Sequence, residues 1–219
     1  MPERSNGPVS KTGVRFFGPW VRIPLPPQKA MKKIIVPVEI SARHIHLTQK
    51  HFEKLFGKKN PTLLRKLSQS QFAAKETVDL VFKDRVIKNV RIVYPFRKKT
   101  QVELSLTDAI HLKIKPVFRV SGDLKNTPGI KIVGPKGEIN LKEGVIIPLR
   151  HLHVSPEEAK KLNLKNKEKV KIRILGKRAL IFENVIVRVK KGFNLALHLD
   201  TDEGNAAGIP KKGKGILID

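Results

Sequence analysis

Alternation of apolar and polar residues dominates the chain from Ile34 onward and predicts many short β-strands. The clearest cases are Val36 to Ile40 and Val78 to Phe82, in which every second side chain is apolar. Further runs of strand character are 86–94, 102–106, 170–174 and 180–189. Because many short strands separated by turns pack as a barrel or a sandwich, we expect a mainly β fold.

Short helices are predicted by capping signals. Thr48 precedes apolar residues at helical spacing, and Gly57 ends that segment. The sequence Ser155-Pro156-Glu157-Glu158 combines an N-cap serine, a proline at the first helical position and a glutamate at the reciprocal capping-box position. Asp200 or Thr201 begins a third short helix. We therefore expect brief helices attached to a β framework.

One strand-to-helix plan occurs twice, at 38–48 and at 145–155. Each copy has an apolar strand, the pattern Arg-His-apolar-His-apolar, a hydroxyl N-cap and then a helix. Two copies predict two related halves, each completed by other strands. The period is too long, and occurs too few times, for a solenoid.

The first thirty residues differ in character from the rest. Glycine, proline and serine are frequent there, and no helical or strand period continues. We predict an irregular N-terminal extension over residues 1–30. One hypothesis is that this extension is not native and that Met31 is the natural start; the rival, a targeting or docking tail, lacks an amphipathic period to support it.

Composition bounds the class of protein. With 219 residues, 40% of them hydrophobic and 29% charged, the chain can bury one sizeable core or two small ones. No run approaches the roughly 20 apolar residues needed to cross a bilayer, and no tripartite signal opens the chain, so we expect a cytoplasmic protein without membrane association. The absence of cysteine excludes disulfides, thiolate ligands and a cysteine acyl-enzyme. Any metal must therefore be held by carboxylates and the seven histidines.

The net charge of +26 suggests an anionic partner. Nucleic acid is the first candidate, but the basic residues are spread along the chain, and no zinc-finger spacing or RNA-binding aromatic signature accompanies them. We do not expect nucleic-acid binding as the main function. A small polyanion such as a nucleotide or coenzyme A would use the same charge.

The repeated motif carries the candidate chemistry. Its copies are Arg43-His44-Ile45-His46 and Arg150-His151-Leu152-His153. Two histidines one residue apart on a strand point to the same face, about 6.6 Å apart at the backbone, so their imidazoles can converge on one ion at about 2.1 Å. A single such pair can be a surface feature without a ligand. Its recurrence in the same context predicts two transition-metal sites, with zinc as the expected metal.

Two further side chains are candidate ligands. His198 lies on an alternating strand just before a capped acidic turn, and Glu103 lies at an alternation point between apolar neighbours. For Glu103 the alternative is an exposed strand carboxylate with no ligand.

Five motifs occur in a fixed order along the chain, at 43–47, 101–105, 121–123, 150–153 and 198–203. In this order the chain resembles the PduL-type phosphotransacylases, the phosphate propanoyltransferase family, over about Ile34 to Asp219. The resemblance implies two small β-barrels capped by short α-helices and related by the internal repeat. One barrel would comprise 33–42 and 149–219 and the other 43–121, with 122–148 as a connecting segment. A homodimer is also implied; the N-terminal encapsulation helix of some members is not recognisable here.

The resemblance also implies the reaction and its residues. A short-chain acyl-CoA and phosphate would interconvert with acyl phosphate and CoA. Two zinc ions per chain are implied, one held by His44, His46 and Glu103 and the other by His151, His153 and His198. Phosphate would bind at Arg97, whose alternative is a solvated basic strand end. Coenzyme A contacts are expected at Ile40, Ser41, Ala42, Arg91 and Asn205.

The absence of cysteine and of a Ser-His-Asp signature favours direct attack of phosphate on the thioester, with metal as template and Lewis acid. A dinuclear zinc hydrolase of a phosphoester or thioester would fit the histidines equally well. A nucleic-acid-binding or structural protein that uses metal only for folding is a third class, for which four closed ligands are usual. The length of the acyl chain is not evident from the residues.

Overall fold

The computed structural model describes residues 33–218. The predicted irregular extension over 1–30, the hypothesis about Met31 and the question of an N-terminal targeting helix all lie outside these residues. Within them the secondary structure is mainly β, as predicted, with four short helices. None of these helices is long and apolar enough to cross a membrane.

Strands and helices alternate in small groups along the chain. The strands are β1 Ile34–Ile40, β2 His44–His46, β3 Leu63–Lys66, β4 Phe72–Phe82, β5 Arg85–Tyr94, β6 Gln101–Glu103, β7 Phe118–Arg119, β8 Ile130–Val133, β9 Glu138–Leu141, β10 Val145–Pro148, β11 His151–Val154, β12 Lys169–Ile174, β13 Ile181–Val189, β14 Ala196–Leu199 and β15 Lys212–Ile218. The helices are α1 Gln49–Phe56, α2 Leu106–His111, α3 Pro156–Leu162 and α4 Thr201–Ala206.

Six strands form a closed barrel in the order β1, β14, β11, β13, β12, β15, and the ring closes where β15 pairs antiparallel with β1. The alternation of β1 accounts for its place, since Val36 and Val38 are buried while Ile35 is exposed. They join a core that includes Leu152, Ile172 and Leu197. The chain thus closes its first strand against strands from its last third.

The other nine strands form a second sheet, in the order β7, β10, β6, β2, β5, β4, β8, β9, with β3 paired to β4. This sheet curls into a half-barrel rather than closing. Its own core includes Ile45, Phe52, Leu80 and Ile132. The predicted barrel architecture is therefore confirmed, with one barrel closed and the other open.

The segment 122–148, expected to be a connection, supplies strands β8, β9 and β10 to the second sheet. Its strands are only four residues long, so the alternation that they show in the sequence is weak. Ile130, Ile132 and Val145 are nevertheless buried in the core of that sheet.

The internal repeat is also visible in the strand pairing. In the half-barrel, β2 lies between the parallel β5 and the antiparallel β6. In the closed barrel, β11 lies between the parallel β13 and the antiparallel β14. The two His-x-His strands therefore occupy the same position within their sheets.

All three predicted helices are present. Thr48 caps α1, Ser155 caps α3 with the full reciprocal box, and Asp200 caps α4. Gly57 ends α1 with φ of +68°, a left-handed conformation that glycine adopts without strain. A fourth helix, α2, was not predicted, although Ser105 and Asp108 form a complete capping box at its start.

Candidate functional site

Four strands deliver the predicted metal ligands, and each of them ends in the same way. His46, Glu103, His153 and His198 each stand two residues before an N-cap, at Thr48, Ser105, Ser155 and Asp200. A residue two positions before the cap shares its face of the strand. Each candidate ligand therefore lies at the end of its strand, and the capped helix that follows fixes the position of that end.

The first ligand set consists of His44, His46 and Glu103. His44 lies directly opposite Glu103 across the antiparallel β2–β6 pair. The Nε2 atoms of His44 and His46 are 3.2 Å apart, and His44 Nε2 is 3.5 Å from Glu103 Oε2. Ligands about 2.1 Å from a tetrahedral metal are separated by about 3.4 Å. The spacing of this set fits a single ion.

The second set consists of His151, His153 and His198. His151 lies opposite His198 across the β11–β14 pair, just as His44 lies opposite Glu103. The ring centroids of His153 and His198 are 4.5 Å apart, and those of His151 and His153 are 4.6 Å apart. The ligand atoms of each set lie within 4.8 Å of one another. The repeat therefore produces the same three-ligand geometry twice.

Hydrogen bonds to backbone carbonyls fix which ring nitrogen carries no proton. His44 Nδ1 donates to the carbonyl of Ala42 at 2.9 Å, and His151 Nδ1 donates to that of Leu149 at the same distance. His46 Nδ1 donates to the carbonyl of Val93 at 3.0 Å. Because a carbonyl only accepts, the proton lies on Nδ1 and the Nε2 lone pair faces the site. In the first set two such lone pairs face each other, an arrangement that a cation between them would relieve.

Unpaired polar atoms in the second set point to the same conclusion. Both ring nitrogens of His153 and Nε2 of His198 are buried and have no hydrogen-bond partner among residues 33–218. Buried polar atoms in proteins are normally paired, so each of these needs an explanation. A metal ion satisfies an imidazole nitrogen, and the donor set of each site fits zinc.

The ionisation of these groups suits metal binding. Burial, followed by His198 and Arg188, lowers the pKa of His151 to about 3. Burial also lowers the pKa of His46, His153 and His198. Burial acts to raise the pKa of Glu103, but His44, His46 and Arg97 outweigh it and bring that pKa to about 2. At neutral pH these four imidazoles are neutral and Glu103 is ionised, which are the forms that bind a metal.

A polar network surrounds Glu103. Ser121 Oγ donates to Glu103 Oε1 at 2.8 Å and accepts from Arg97 Nη1 at 3.0 Å. Gln101 also donates to Ser121 Oγ, at 2.9 Å, and to Glu103. Gln101 and Ser121 belong to the sequence motifs 101–105 and 121–123 but had no predicted role. Gln101 lies two residues before Glu103 on one strand, so the period of two could have placed both side chains on the same face.

Arg97, predicted to bind phosphate, lies directly beside the first ligand set. Its Nη2 donates to His46 Nε2 at 2.7 Å, and its Nη1 is 3.9 Å from Glu103 Oε1. Its side chain is 28% exposed, so the guanidinium is half-buried and still accessible. The exposed basic strand end that was the alternative reading does not describe this position.

Both ligand sets line one cavity of about 530 Å³. Arg97, Arg188, Lys190 and Lys191 also line it. Arg188 stands opposite His153 in the parallel β11–β13 pair. The sequence alone does not distinguish Arg188 from the many other basic residues of the chain. The cavity therefore combines two sets of candidate metal ligands with a cationic wall suited to phosphate groups.

The residues assigned to coenzyme A lie in two places. Ile40, Ser41 and Ala42 follow one another at the end of β1, where Ser41 lines the cavity. Asn205 is exposed on α4, and the neighbouring Gly204 packs directly against Ile40. Arg91 stands opposite His44 in the β2–β5 pair and donates to the carbonyls of Ala74 and Lys75.

Comparison with known proteins gives a consistent result. The family model described as phosphate propanoyltransferase matches residues 37–210. The phosphate propanoyltransferase of Lachnoclostridium phytofermentans is 49% identical, over 80% of this chain and 83% of its own length. That of Thermotoga maritima is 47% identical, over 78% of this chain and 82% of its own length. That of Listeria monocytogenes is 42% identical over 87% and 91%.

Proposed function

The chain belongs to the phosphate propanoyltransferase family of acyltransferases. We propose that it is a zinc-dependent enzyme that interconverts a short-chain acyl-CoA plus phosphate with acyl phosphate plus CoA. The observation that supports this best is the joint placement of two three-ligand sets and Arg97 on one cavity. Propanoyl is the acyl group named for the relatives, and acetyl is the nearest alternative.

Zinc would be held by His44, His46 and Glu103 at one site and by His151, His153 and His198 at the other. Three protein ligands leave a coordination position open, which is typical of catalytic rather than structural zinc. Bound zinc supplies Lewis acidity that polarises carbonyl or phosphoryl oxygens and offsets their negative charge.

Arg97 would bind phosphate. Its guanidinium donates to His46 Nε2. If that nitrogen bound zinc instead, the guanidinium would need another hydrogen-bond acceptor. A phosphate in the cavity offers two oxygens to the arginine fork, a geometry that lysine cannot reproduce. Ser121 holds the other side of the guanidinium at 3.0 Å and keeps the fork directed.

The chemical step would be direct attack. An oxygen of hydrogen phosphate forms a bond to the thioester carbonyl carbon, and the carbon–sulfur bond breaks with its electron pair on sulfur. The proton lost by the phosphate ends on the CoA thiol, so the products are acyl phosphate and CoA. The cavity wall holds both reactants close together, which supplies the entropic part of the rate enhancement.

The coenzyme would lie along the end of β1 at Ile40, Ser41 and Ala42, with Arg91 and Asn205 as further contacts. Ser41 on the cavity wall and the cationic residues Arg188 and Lys190 support this direction of approach. A homodimer and a cytoplasmic location remain predictions, which sedimentation and cell fractionation would test.

One assay tests the proposal. Purified protein is incubated with propanoyl-CoA or acetyl-CoA, and free thiol and acyl phosphate are measured with and without phosphate. The transferase releases thiol only when phosphate is present and forms acyl phosphate in equal amount. Thiol release without phosphate, yielding the free acid, would instead indicate the zinc hydrolase. In the same assay Arg97→Lys should weaken the dependence of thiol release on phosphate, and Arg119→Lys, at a surface ion pair with Asp123, is its matched control.

A further inference from the structure

The arginine of each Arg-His-x-His motif belongs neither to a candidate ligand set nor to the lining of the 530 Å³ cavity. Arg43 and Arg150 immediately precede the first histidine of each pair, yet neither provides a metal ligand. Their guanidinium groups point to carboxylates on other elements, and both carboxylates occupy equivalent places in the repeat.

Arg43 is paired with α2. Its Nη1 lies 2.7 Å from Asp108 Oδ1. Asp108 is 7% exposed and is the third residue of α2, where it closes the capping box with Ser105. This helix directly follows β6, the strand that carries the ligand Glu103. Arg43 thus connects the two-histidine strand to the helix behind the third ligand.

Arg150 makes the same connection in the closed barrel. Its Nε lies 2.6 Å from Glu203 Oε1. Glu203 is the third residue of α4 and closes the capping box with Asp200. This helix directly follows β14, the strand that carries the ligand His198. The guanidinium also stacks over Phe182, 5.0 Å from the ring centroid, which fixes its plane.

The agreement extends to spacing. In both halves the arginine stands one residue before the first ligand, and its carboxylate partner stands five residues after the third. The strands that it joins are short: β2 and β6 have three residues each, and β11 and β14 have four each. Because so few backbone hydrogen bonds join the two strands of each pair, their relative tilt is weakly restrained. The ion pair of Arg43 or Arg150, which lies outside these hydrogen bonds, adds a second connection between the strand and the helix that follows its partner.

We propose that Arg43 and Arg150 are positioning residues, each of which holds the ligand triangle of its own metal site by tying the His-x-His strand to the capped helix that follows the third ligand. The inference rests on the proposed two-zinc site. Each arginine is expected to act more strongly on its own site, because each ion pair lies within a single half of the repeat. The hydrogen bond between α2 and α4, from Thr107 N–H to Asp202 Oδ2 at 2.8 Å, joins residues next to the ion pairs and not the pairs themselves.

The test measures how fast zinc leaves each site. Single-site proteins are made first: His151→Ala isolates the first site, and His44→Ala isolates the second. Each is loaded with zinc and mixed with a chromophoric chelator, and the release rate is followed. Arg43→Gln is expected to speed release from the first site about 10- to 100-fold and leave the second unchanged, and Arg150→Gln is expected to do the reverse.

Matched variants separate positioning from general stability. Asp108→Asn and Glu203→Gln keep an acceptor at the capping-box position but remove the charge, so each is expected to reproduce the effect of its own arginine variant. Arg43→Lys, which keeps the charge, should restore part of the slow release. Arg65→Gln in the half-barrel and Arg173→Gln in the closed barrel replace exposed arginines and should leave both release rates unchanged.

The outcomes distinguish this inference from the function on which it rests. If neither single-site protein binds zinc, the two-zinc proposal itself fails. If both bind zinc but Arg43→Gln and Arg150→Gln leave release unchanged, or speed it equally at both sites, the positioning role is refuted. Thermal unfolding of each variant without metal shows whether the fold survives, and the conservative Asp108→Asn and Glu203→Gln provide the answer if the arginine variants do not fold.

Discussion

Replacing His153 by leucine is expected to stabilise the metal-free protein, although the same change removes a metal ligand. His153 is 7% exposed, and in the described part of the chain neither of its ring nitrogens has a hydrogen-bond partner. A buried polar group left unpaired costs about 1–3 kcal/mol, and an apolar replacement of similar size removes that cost. Imperfect fit of leucine beside Phe193, whose ring centroid is 4.0 Å away, offsets less than about 1.5 kcal/mol of the gain.

His46→Leu is the matched control. His46 is also buried, but its Nδ1 donates to the carbonyl of Val93 and its Nε2 accepts from Arg97. Leucine at this position would leave those partners without His46, so a loss of about 1–3 kcal/mol is expected. The two substitutions are the same in chemistry and should be opposite in sign.

The measurement is urea unfolding of the chelator-treated proteins, followed by far-ultraviolet and near-ultraviolet circular dichroism to check for a single transition. Adding zinc should then raise the unfolding midpoint of the unsubstituted protein more than that of either variant, because each variant retains one complete site. If His153→Leu destabilises the metal-free protein as much as His46→Leu does, the His153 nitrogens are satisfied in the folded protein and the argument for the second site is wrong.

Three further outcomes are expected. Arg97→Lys should raise the phosphate Michaelis constant strongly with zinc content unchanged, and loss of zinc would contradict a phosphate-binding role. His44→Ala and His151→Ala should each lower zinc by about one equivalent per chain in elemental analysis; full retention would count against that site. Because the folded-state pKa of His151 is lowered to about 3 from 6.5, its contribution to the stability of the metal-free protein is complete above pH 6.5 and is lost as pH falls towards 3. Urea midpoints measured across this range should therefore decrease with acidity, and less steeply in His151→Leu.

The local structure was largely predictable because it depends on neighbours in the chain. The alternation in β1 and β5 and the caps at Thr48, Ser155 and Asp200 are set by side chains a few residues away. By the same argument α2 was predictable, since Ser105 and Asp108 carry its capping box. It was missed because the apolar alternation of 102–106 was extended through the cap.

Placement within the sheets was not predictable from local pattern. Whether β15 would close on β1, or β9 on β7, depends on which edges meet, and no short segment records this. The strands β8 and β9 are four residues each, too short for alternation to stand out from a loop.

At the candidate site, the ligand types and the grouping of the histidines in pairs could be predicted from the sequence. Without cysteine the metal ligands had to be imidazoles and carboxylates, and the spacing of His44 with His46 and of His151 with His153 places each pair on one face of a strand. Which residue joins each histidine pair as the third candidate ligand depends on the tertiary structure. The register of β2 on β6 and of β11 on β14 brings Glu103 opposite His44 and His198 opposite His151. This register brings together residues tens of positions apart in the chain, as do the ion pairs of Arg43 and Arg150. Such contacts could not be predicted locally, because cross-strand contacts depend on how the sheet is assembled and not on distance along the chain.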